Sequence, residues 1–110
     1  MDQPLKEVDL LRHELKALRF LLETRGRALA VEDFPPREDF QSPQGRALYD
    51  AITGAPDAAA ARARIARLEL EDVDIDSFLR LDGSHYYSYP ALVKQRAAAI
   101  RAGTLKVEPA

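Results

Sequence analysis

Residues 40–54 constrain the fold more than any other stretch, because they combine the residue types that begin, support and end a helix. Ser42 can accept a hydrogen bond from the first free backbone N–H groups, and Pro43 suits the first helical position, where no N–H is needed. Two apolar residues four positions apart then give the helix a buried face. We therefore predict a helix over residues 43–53 that ends in a left-handed cap at Gly54.

Apolar residues also recur at intervals of three and four in other parts of the chain, and no alternating strand pattern persists. The leucine-rich stretch near the N-terminus has the widest apolar stripe, which is typical of the central helix of a bundle. We predict helices over residues 5–24 and 90–102, with a helical turn at residues 27–31. Another helix begins with Pro56 in its first turn or Asp57 as its cap and carries the stripe Ala58, Ala61, Ile65 and Leu68. A short helix capped by Asp72 or Asp74 carries Ile75, Phe78, Leu79 and Leu81.

Two consecutive prolines, Pro35 and Pro36, exclude a helix between the first two long helical segments. We expect Phe34 and Phe40 to pack this loop against the core. The predicted fold is all-α, a compact bundle of five to six helices with no sheet, formed by a single domain over residues 1–104 and followed by a frayed tail over residues 105–110. The predicted core comprises Leu15, Leu18, Leu22, Phe40, Leu48, Ile52, Ile65, Phe78, Val93 and Ile100.

The composition excludes several classes of function. The chain of 110 residues contains no cysteine, so disulfides, thiolate chemistry and cysteine-ligated zinc are excluded. Its net charge of −2 does not favour binding to nucleic acid, which usually requires a basic surface. No apolar run approaches the length needed to span a membrane, and the N-terminus lacks the order of a signal peptide. We therefore expect a soluble cytoplasmic protein that binds neither nucleic acid nor membrane.

Charge is unevenly distributed along the chain. Residues 31–90 contain six basic and twelve acidic side chains, whereas residues 91–110 contain four basic side chains and one acidic side chain. A basic terminal helix on an acidic body can steer the approach of a charged partner. The alternative is that these charges form ordinary solvated surfaces.

Two short motifs resemble catalytic or metal sites, and both fail on inspection. Alternating aspartates over residues 72–76 resemble the start of an EF-hand loop, but Ser77 and Gly83 stand where that loop needs glycine and glutamate. Asp82, Ser84 and His85 are the residue types of a hydrolase triad, but triad members normally come from distant segments. We predict no catalytic residue, no metal site and no cofactor.

The order of motifs resembles a known helical bundle. A leucine-rich helix is followed by a loop with phenylalanine, a helix with two apolar anchors, two short helices and a closing helix. This arrangement is similar to the bundle shared by the C-terminal helicase-binding domain of bacterial DnaG-type primases and the N-terminal domain of the DnaB-type replicative helicase. The residues that carry the resemblance are Phe40, Arg46, Leu48, Tyr49 and Ile52, followed by Val93, Arg96 and Ile100.

The resemblance implies a non-catalytic protein–protein docking module of the bacterial replication machinery, at the junction of primase and replicative helicase. Its partner would be the replicative helicase or the primase, and the chain would be a domain of such a protein or a separate relative. The alternative function is structural: the chain would be an unrelated helical domain that self-associates to form a homo-oligomer.

Three tyrosines crowd the loop before the last helix, and tyrosines are frequent anchors of protein interfaces. The helix after them adds basic residues that can meet an acidic partner. The alternative is that one or two of these rings pack beneath the last helix. We predict a partner-binding surface formed by Tyr86, Tyr87, Tyr89, Lys94, Arg96 and Arg101.

Overall fold

Five α-helices and one pair of short strands form the regular structure of residues 4–24 and 34–108, which the computed structural model describes. The helices are α1 (Glu7–Thr24), α2 (Pro43–Thr53), α3 (Ala58–Ala66), α4 (Ile75–Arg80) and α5 (Tyr89–Arg101), and the strands are β1 (Leu5–Lys6) and β2 (Val107–Glu108). Single 3₁₀ turns lie at Arg37–Asp39 and Gly83–His85. The helical turn predicted at residues 27–31 lies outside the described residues.

Helix α1 is the centre of the bundle, because it packs against each of the other four α-helices. The width of its leucine stripe predicts this position. Ala17, Leu18 and Leu22 are almost completely buried along it. Helix α3 packs against α2 and α4, whereas α5 packs against α1 and the 3₁₀ turn at residues 37–39. The prediction of a bundle made mainly of α-helices is therefore confirmed.

Short polar side chains cap three of the helices as the sequence predicts. Ser42, Asp57 and Asp74 each accept a hydrogen bond from the backbone N–H three residues later, at 2.9, 2.8 and 3.1 Å. Each bond satisfies one of the N–H groups that have no partner within the helix. Of the two candidates for the cap of α4, Asp72 and Asp74, the structure selects Asp74, and Asp57 is the cap of α3.

The prediction of a left-handed cap at Gly54 is wrong. Gly54 has φ −79° and ψ −9°, which is a right-handed helical conformation. Its N–H still donates to the carbonyl oxygen of Asp50 at 3.0 Å, so the chain continues the helical turn before it leaves α2. Among the described residues, the glycine with a left-handed backbone is Gly103, at φ 78°, just after α5.

The prediction that the protein has no sheet is corrected by β1 and β2, which pair in parallel with Leu5 opposite Val107. The Leu5 N–H also donates to the carbonyl oxygen of Lys106 at 2.8 Å. Strands of two residues are too short to show an alternating pattern, so the sequence does not reveal them. As a consequence, α1 begins at Glu7 rather than at residue 5, and residues 106–108 lie against the start of the chain.

Eight of the ten predicted core residues are buried, and Leu15 and Ile100 are half-buried. Val8, which belongs to the apolar stripe of α1 by spacing, is 48% exposed because it lies in the first turn of the helix. Phe40 is fully buried and lies 5.9 Å from Phe34 and 5.6 Å from Tyr49 between ring centroids. These aromatic contacts confirm that the proline-containing loop packs against the core.

A buried carboxylate on α1 fixes the start of α2. Glu14 is fully buried, and its oxygens accept hydrogen bonds from the Gln41 N–H at 2.6 Å, the Ser42 N–H at 3.2 Å and the Ser42 hydroxyl at 2.5 Å. A Cβ atom at Gly45 would lie 2.7 Å from a Glu14 oxygen and 2.9 Å from the Ser42 hydroxyl oxygen, so a side chain at this position would displace the Glu14–Ser42 contact. The carboxylate therefore occupies the positive end of the α2 dipole.

Truncation of Leu48 to alanine is expected to lower the free energy of unfolding by about 2–5 kcal/mol, because its side chain is fully buried between helices. Val8→Ala is the control, with an expected loss below about 0.5 kcal/mol at its exposed position. Urea denaturation measures both. A loss below about 0.5 kcal/mol for Leu48→Ala would contradict the assignment of its buried face.

Glu14 is expected to make stability depend on pH. Burial raises the pKa of Glu14 above its ordinary 4.5, against the opposing effect of its hydrogen bonds to Ser42 and Gln41. The folded protein therefore holds the Glu14 proton more tightly than the unfolded chain does. The stability that this proton contributes is fully present at pH values below the pKa of Glu14 in the unfolded chain. This stability is lost as pH rises through the pKa of Glu14 in the folded protein.

The Glu14→Gln variant lacks this titration. The free energy of unfolding of the wild-type protein relative to Glu14→Gln should therefore decrease as pH rises from about 4 to 7. Urea titrations at several pH values measure this difference. A difference that stays constant or increases over this range would contradict the raised pKa.

Candidate functional site

The three tyrosines of the loop before α5 do not share one environment. Tyr86 and Tyr89 are half-buried, and their rings meet edge to face with centroids 5.6 Å apart. Tyr87, between them in sequence, is 74% exposed. The structure therefore fixes two rings against the protein and leaves the third on the surface.

Lys16 of α1 holds the two half-buried rings together. Its Nζ lies 5.1 Å from the ring centroid of Tyr89 and 5.6 Å from that of Tyr86. It also donates a long hydrogen bond of 3.4 Å to the Tyr89 hydroxyl. A cation over an aromatic face contributes about 0.5–1 kcal/mol at an exposed position. The rings are thus anchored before any partner arrives.

Arg96 of α5 donates a hydrogen bond to Nδ1 of His13, and the His13 ring lies 5.7 Å from that of Tyr89. A guanidinium group can only donate, so His13 accepts at Nδ1 and the neutral ring has its proton on Nε2. Burial, and then the Arg96 cation, lower the pKa of His13 below its ordinary 6.5. Together, His13, Lys16, Tyr86, Tyr89 and Arg96 form what we call the aromatic–basic cluster.

The two remaining residues of the predicted surface have different roles. Lys94 is exposed on α5 and makes no ion pair among the described residues. Arg101 pairs with Asp39, whose side chain is only 6% exposed, and so ties α5 to the 3₁₀ turn at residues 37–39. The guanidinium of Arg101 therefore neutralises a buried carboxylate as well as facing solvent.

The loop that presents Tyr87 lies directly on α1. A Cβ atom at Gly83 would lie 2.4 Å from the carbonyl oxygen of Arg19, so only glycine permits this approach. The side chain of Arg19 is itself buried, and its Nη1 lies 2.9 Å from a Glu23 oxygen. Contact with the central helix fixes the position of the loop.

Asp82, Ser84 and His85 form a turn rather than a proton relay. Both the N–H and the hydroxyl of Ser84 donate to one oxygen of Asp82, at 3.0 and 2.6 Å, and Nε2 of His85 lies 3.3 Å from the other oxygen. In a hydrolase triad, histidine lies between serine and aspartate. Here the aspartate lies between the other two, and its carboxylate caps the 3₁₀ turn.

The aspartates over residues 72–76 do not converge. Asp74 turns back to accept hydrogen bonds from the Ser77 N–H and hydroxyl, and these bonds lower the pKa of Asp74. Asp72 has a left-handed backbone at φ 59°. Within the described ranges, no group of three or more histidine or acidic side chains is arranged to hold a metal ion.

Comparison of the chain with protein-family models, curated proteins and solved structures finds no significant match. In the part of the chain that the structure describes, no helix is both long enough and apolar enough to cross a membrane.

Sequence reasoning found Tyr86, Tyr89 and Arg96 but missed their partners on α1. In the sequence, His13 lies four residues after Asp9, a spacing that allows the two to pair on the exposed face of α1, and no local pattern singles out Lys16. The spacing of three between His13 and Lys16 places both on one face of α1. That spacing identifies a shared face of α1, but it does not show that α5 and the tyrosine loop pack against this face.

The lowered pKa of His13 can be tested by proton NMR titration of its imidazole, with His85→Ala to assign the resonance. The midpoint should lie below 6.5, and Arg96→Ala should move it upward because a neighbouring cation is removed. Since burial is the larger cause, the return toward 6.5 should be partial. Lys94→Ala serves as the control, and an unchanged midpoint in Arg96→Ala would contradict the contact.

Proposed function

We propose that this chain is a non-catalytic docking module that binds a partner protein through Tyr87 and the basic residues around the aromatic–basic cluster. The single observation that carries the proposal is the position of Tyr87, which is 74% exposed beside two rings that the protein already holds in place. Tyrosine combines a large apolar area with a polar tip, and it is enriched among interface residues that dominate binding energy.

The cluster reduces the entropic cost of docking. Tyr86 and Tyr89 are fixed by Lys16 and by each other, so a partner that packs on their exposed edges orders few additional side chains. Ordering a flexible side chain at an interface costs about 0.5–1.5 kcal/mol. Tyr87, which has few rotatable bonds, and the exposed Lys94 are the side chains that a complex would order.

The charge of the surface indicates the partner's chemistry. Lys16 and Arg96 lie within the cluster, and Lys94 is exposed on α5. Arg12 is nearby on α1 and has an exposed partner, Asp9, at 3.6 Å. A partner patch that combines apolar area with carboxylates would complement this surface.

The resemblance to the helical bundle of primases and replicative helicases supports a more specific proposal. We infer that the module acts in the cytoplasm at the primase–helicase junction of bacterial DNA replication, with the replicative helicase or the primase as its partner. What supports this is the helical bundle and the order of motifs from Phe40 to Ile52 and from Val93 to Ile100.

The test measures binding of the chain to purified replicative helicase and primase from the organism that encodes it, by biolayer interferometry. Tyr87→Ala should weaken binding at least tenfold, which corresponds to about 1.4 kcal/mol or more. Lys94→Glu should act mainly on the association rate, and its effect should disappear at high salt. Both variants should keep the melting temperature of the wild-type protein, because neither side chain is buried.

Arg67→Glu is the matched control, since it changes the charge by the same amount on an exposed residue after α3. It should leave binding unchanged. Arg101→Glu is unsuitable, because it would place a second carboxylate beside the buried Asp39. Unchanged binding in both Tyr87→Ala and Lys94→Glu would contradict the docking surface. Self-association of the chain, with no binding to helicase or primase, would instead support the structural alternative.

A further inference from the structure

A second surface, on the α3–α4 side of the bundle, has the opposite charge. The segment that connects α3 to α4 forms an open groove of about 360 Å³. The groove is lined by Leu68, Glu69, Leu70, Glu71, Val73 and Ile75. We propose that this groove docks a basic segment of a partner protein that also presents apolar side chains. The proposal rests on residues 68–76 and is independent of the surface around Tyr87.

Two glutamates, Glu69 and Glu71, line the groove, and three aspartates lie beside it in sequence. Glu69, Glu71, Asp72, Asp74 and Asp76 are all exposed, and residues 68–76 contain no basic side chain. None of these five carboxylates forms an ion pair with any described residue.

The basic residues nearest in sequence lie just outside this segment. Arg67 precedes it and Arg80 follows it, and Arg80 turns back to donate from Nε to the carbonyl oxygen of Asp76 at 3.2 Å and acts as a cation on Asp74. Its charge offsets part of that of the aspartates, whereas Glu69 and Glu71 form no ion pair with any described residue. Five like charges on so short a segment repel one another, and a cationic partner relieves that repulsion.

The floor of the groove is apolar and only half covered. Leu68, Leu70 and Ile75 pack on the core with one side and are half-buried, and Val73 is half-buried outside the core cluster. The alternation of leucine and glutamate over residues 68–71 places apolar and acidic groups side by side. A ligand that fits both must itself combine apolar side chains with positive charge.

Other classes of ligand do not fit this chemistry. Nucleic acids and anionic lipid surfaces would be repelled by the carboxylates. A divalent cation requires several carboxylates around one point, and within residues 4–24 and 34–108 no such group exists. The groove is also shallow and open, whereas small-molecule sites bury most of their ligand's surface. A basic, partly apolar peptide segment is the ligand that satisfies each of these conditions.

The backbone of the groove is fixed at its centre and near its C-terminal end. The carbonyl oxygen of Glu71 accepts a hydrogen bond from the Gln44 side chain of α2 at 3.0 Å, and Asp74 caps α4. Since these contacts use the backbone of Glu71 and the carboxylate of Asp74, the side chains of Glu69 and Glu71 remain available to a partner. They are therefore the residues to change in a test.

The test uses fluorescence anisotropy with two short labelled peptides, one in which lysine alternates with leucine and one in which lysine alternates with glycine. The wild-type protein should bind the lysine–leucine peptide at least tenfold more tightly than the lysine–glycine peptide. The Glu69→Lys/Glu71→Lys double variant should bind the lysine–leucine peptide at least tenfold more weakly than the wild-type protein. Val73→Ser changes an apolar residue of the floor that lies outside the core cluster. This variant should bind the lysine–leucine peptide more weakly than the wild-type protein does, with little change in its affinity for the lysine–glycine peptide.

The matched control is Glu38→Lys/Glu108→Lys, which changes the net charge equally at exposed positions away from the groove. It should retain the affinity of the wild-type protein, and amide shifts caused by the peptide should map to residues 68–76. Equal binding of both peptides, an equal loss in the control variant, or shifts centred on α5 would overturn the proposal. Sedimentation showing that the chain self-associates through this groove would assign it to a second copy and overturn the proposed occupant.

Discussion

The position of the bundle's second helix depends on a carboxylate buried in the middle of its first. Glu14 accepts three hydrogen bonds from the two residues that precede α2, and one of its donors, the Ser42 hydroxyl, also caps that helix. A buried carboxylate without such donors is strongly unfavourable. Helix α3 packs on α2, and both α3 and α4 also pack directly on α1. The Glu14 contact therefore sets where α2 begins, and packing on α1 and α2 together places that side of the bundle.

On the other side of α1, the position of α5 depends on contacts with charged and aromatic groups rather than on apolar packing alone. Arg101 pairs with the buried Asp39, and Arg96 and Tyr89 meet side chains of α1. The surface this creates is aromatic and basic, whereas the groove between α3 and α4 is apolar and acidic. The two proposed docking surfaces of this chain are thus opposite in charge.

Much of the fold could be predicted because helices are specified locally. The caps at Ser42, Asp57 and Asp74 are short-range bonds over three residues, and the apolar spacing of α1 identifies its buried stripe. The candidate surface was predictable only in part. Tyr87 is exposed as a binding anchor requires, but the tie between Arg101 and a buried aspartate could not be inferred from a helix that looks uniformly basic in sequence.

By itself, the sequence determined where α2 begins, the buried stripes of the helices and that the last helix is basic, since each of these follows from neighbours a few residues apart. Only the tertiary structure decided which polar groups meet. Lys16 and Tyr89 are 73 residues apart, and His13 and Arg96 are 83 apart. Contacts at that separation depend on how helices cross, and the crossing is set by packing of the whole bundle rather than by any local pattern. For the same reason, Glu14 appears in the sequence as one more polar residue of α1, and only the approach of α2 makes it a buried carboxylate.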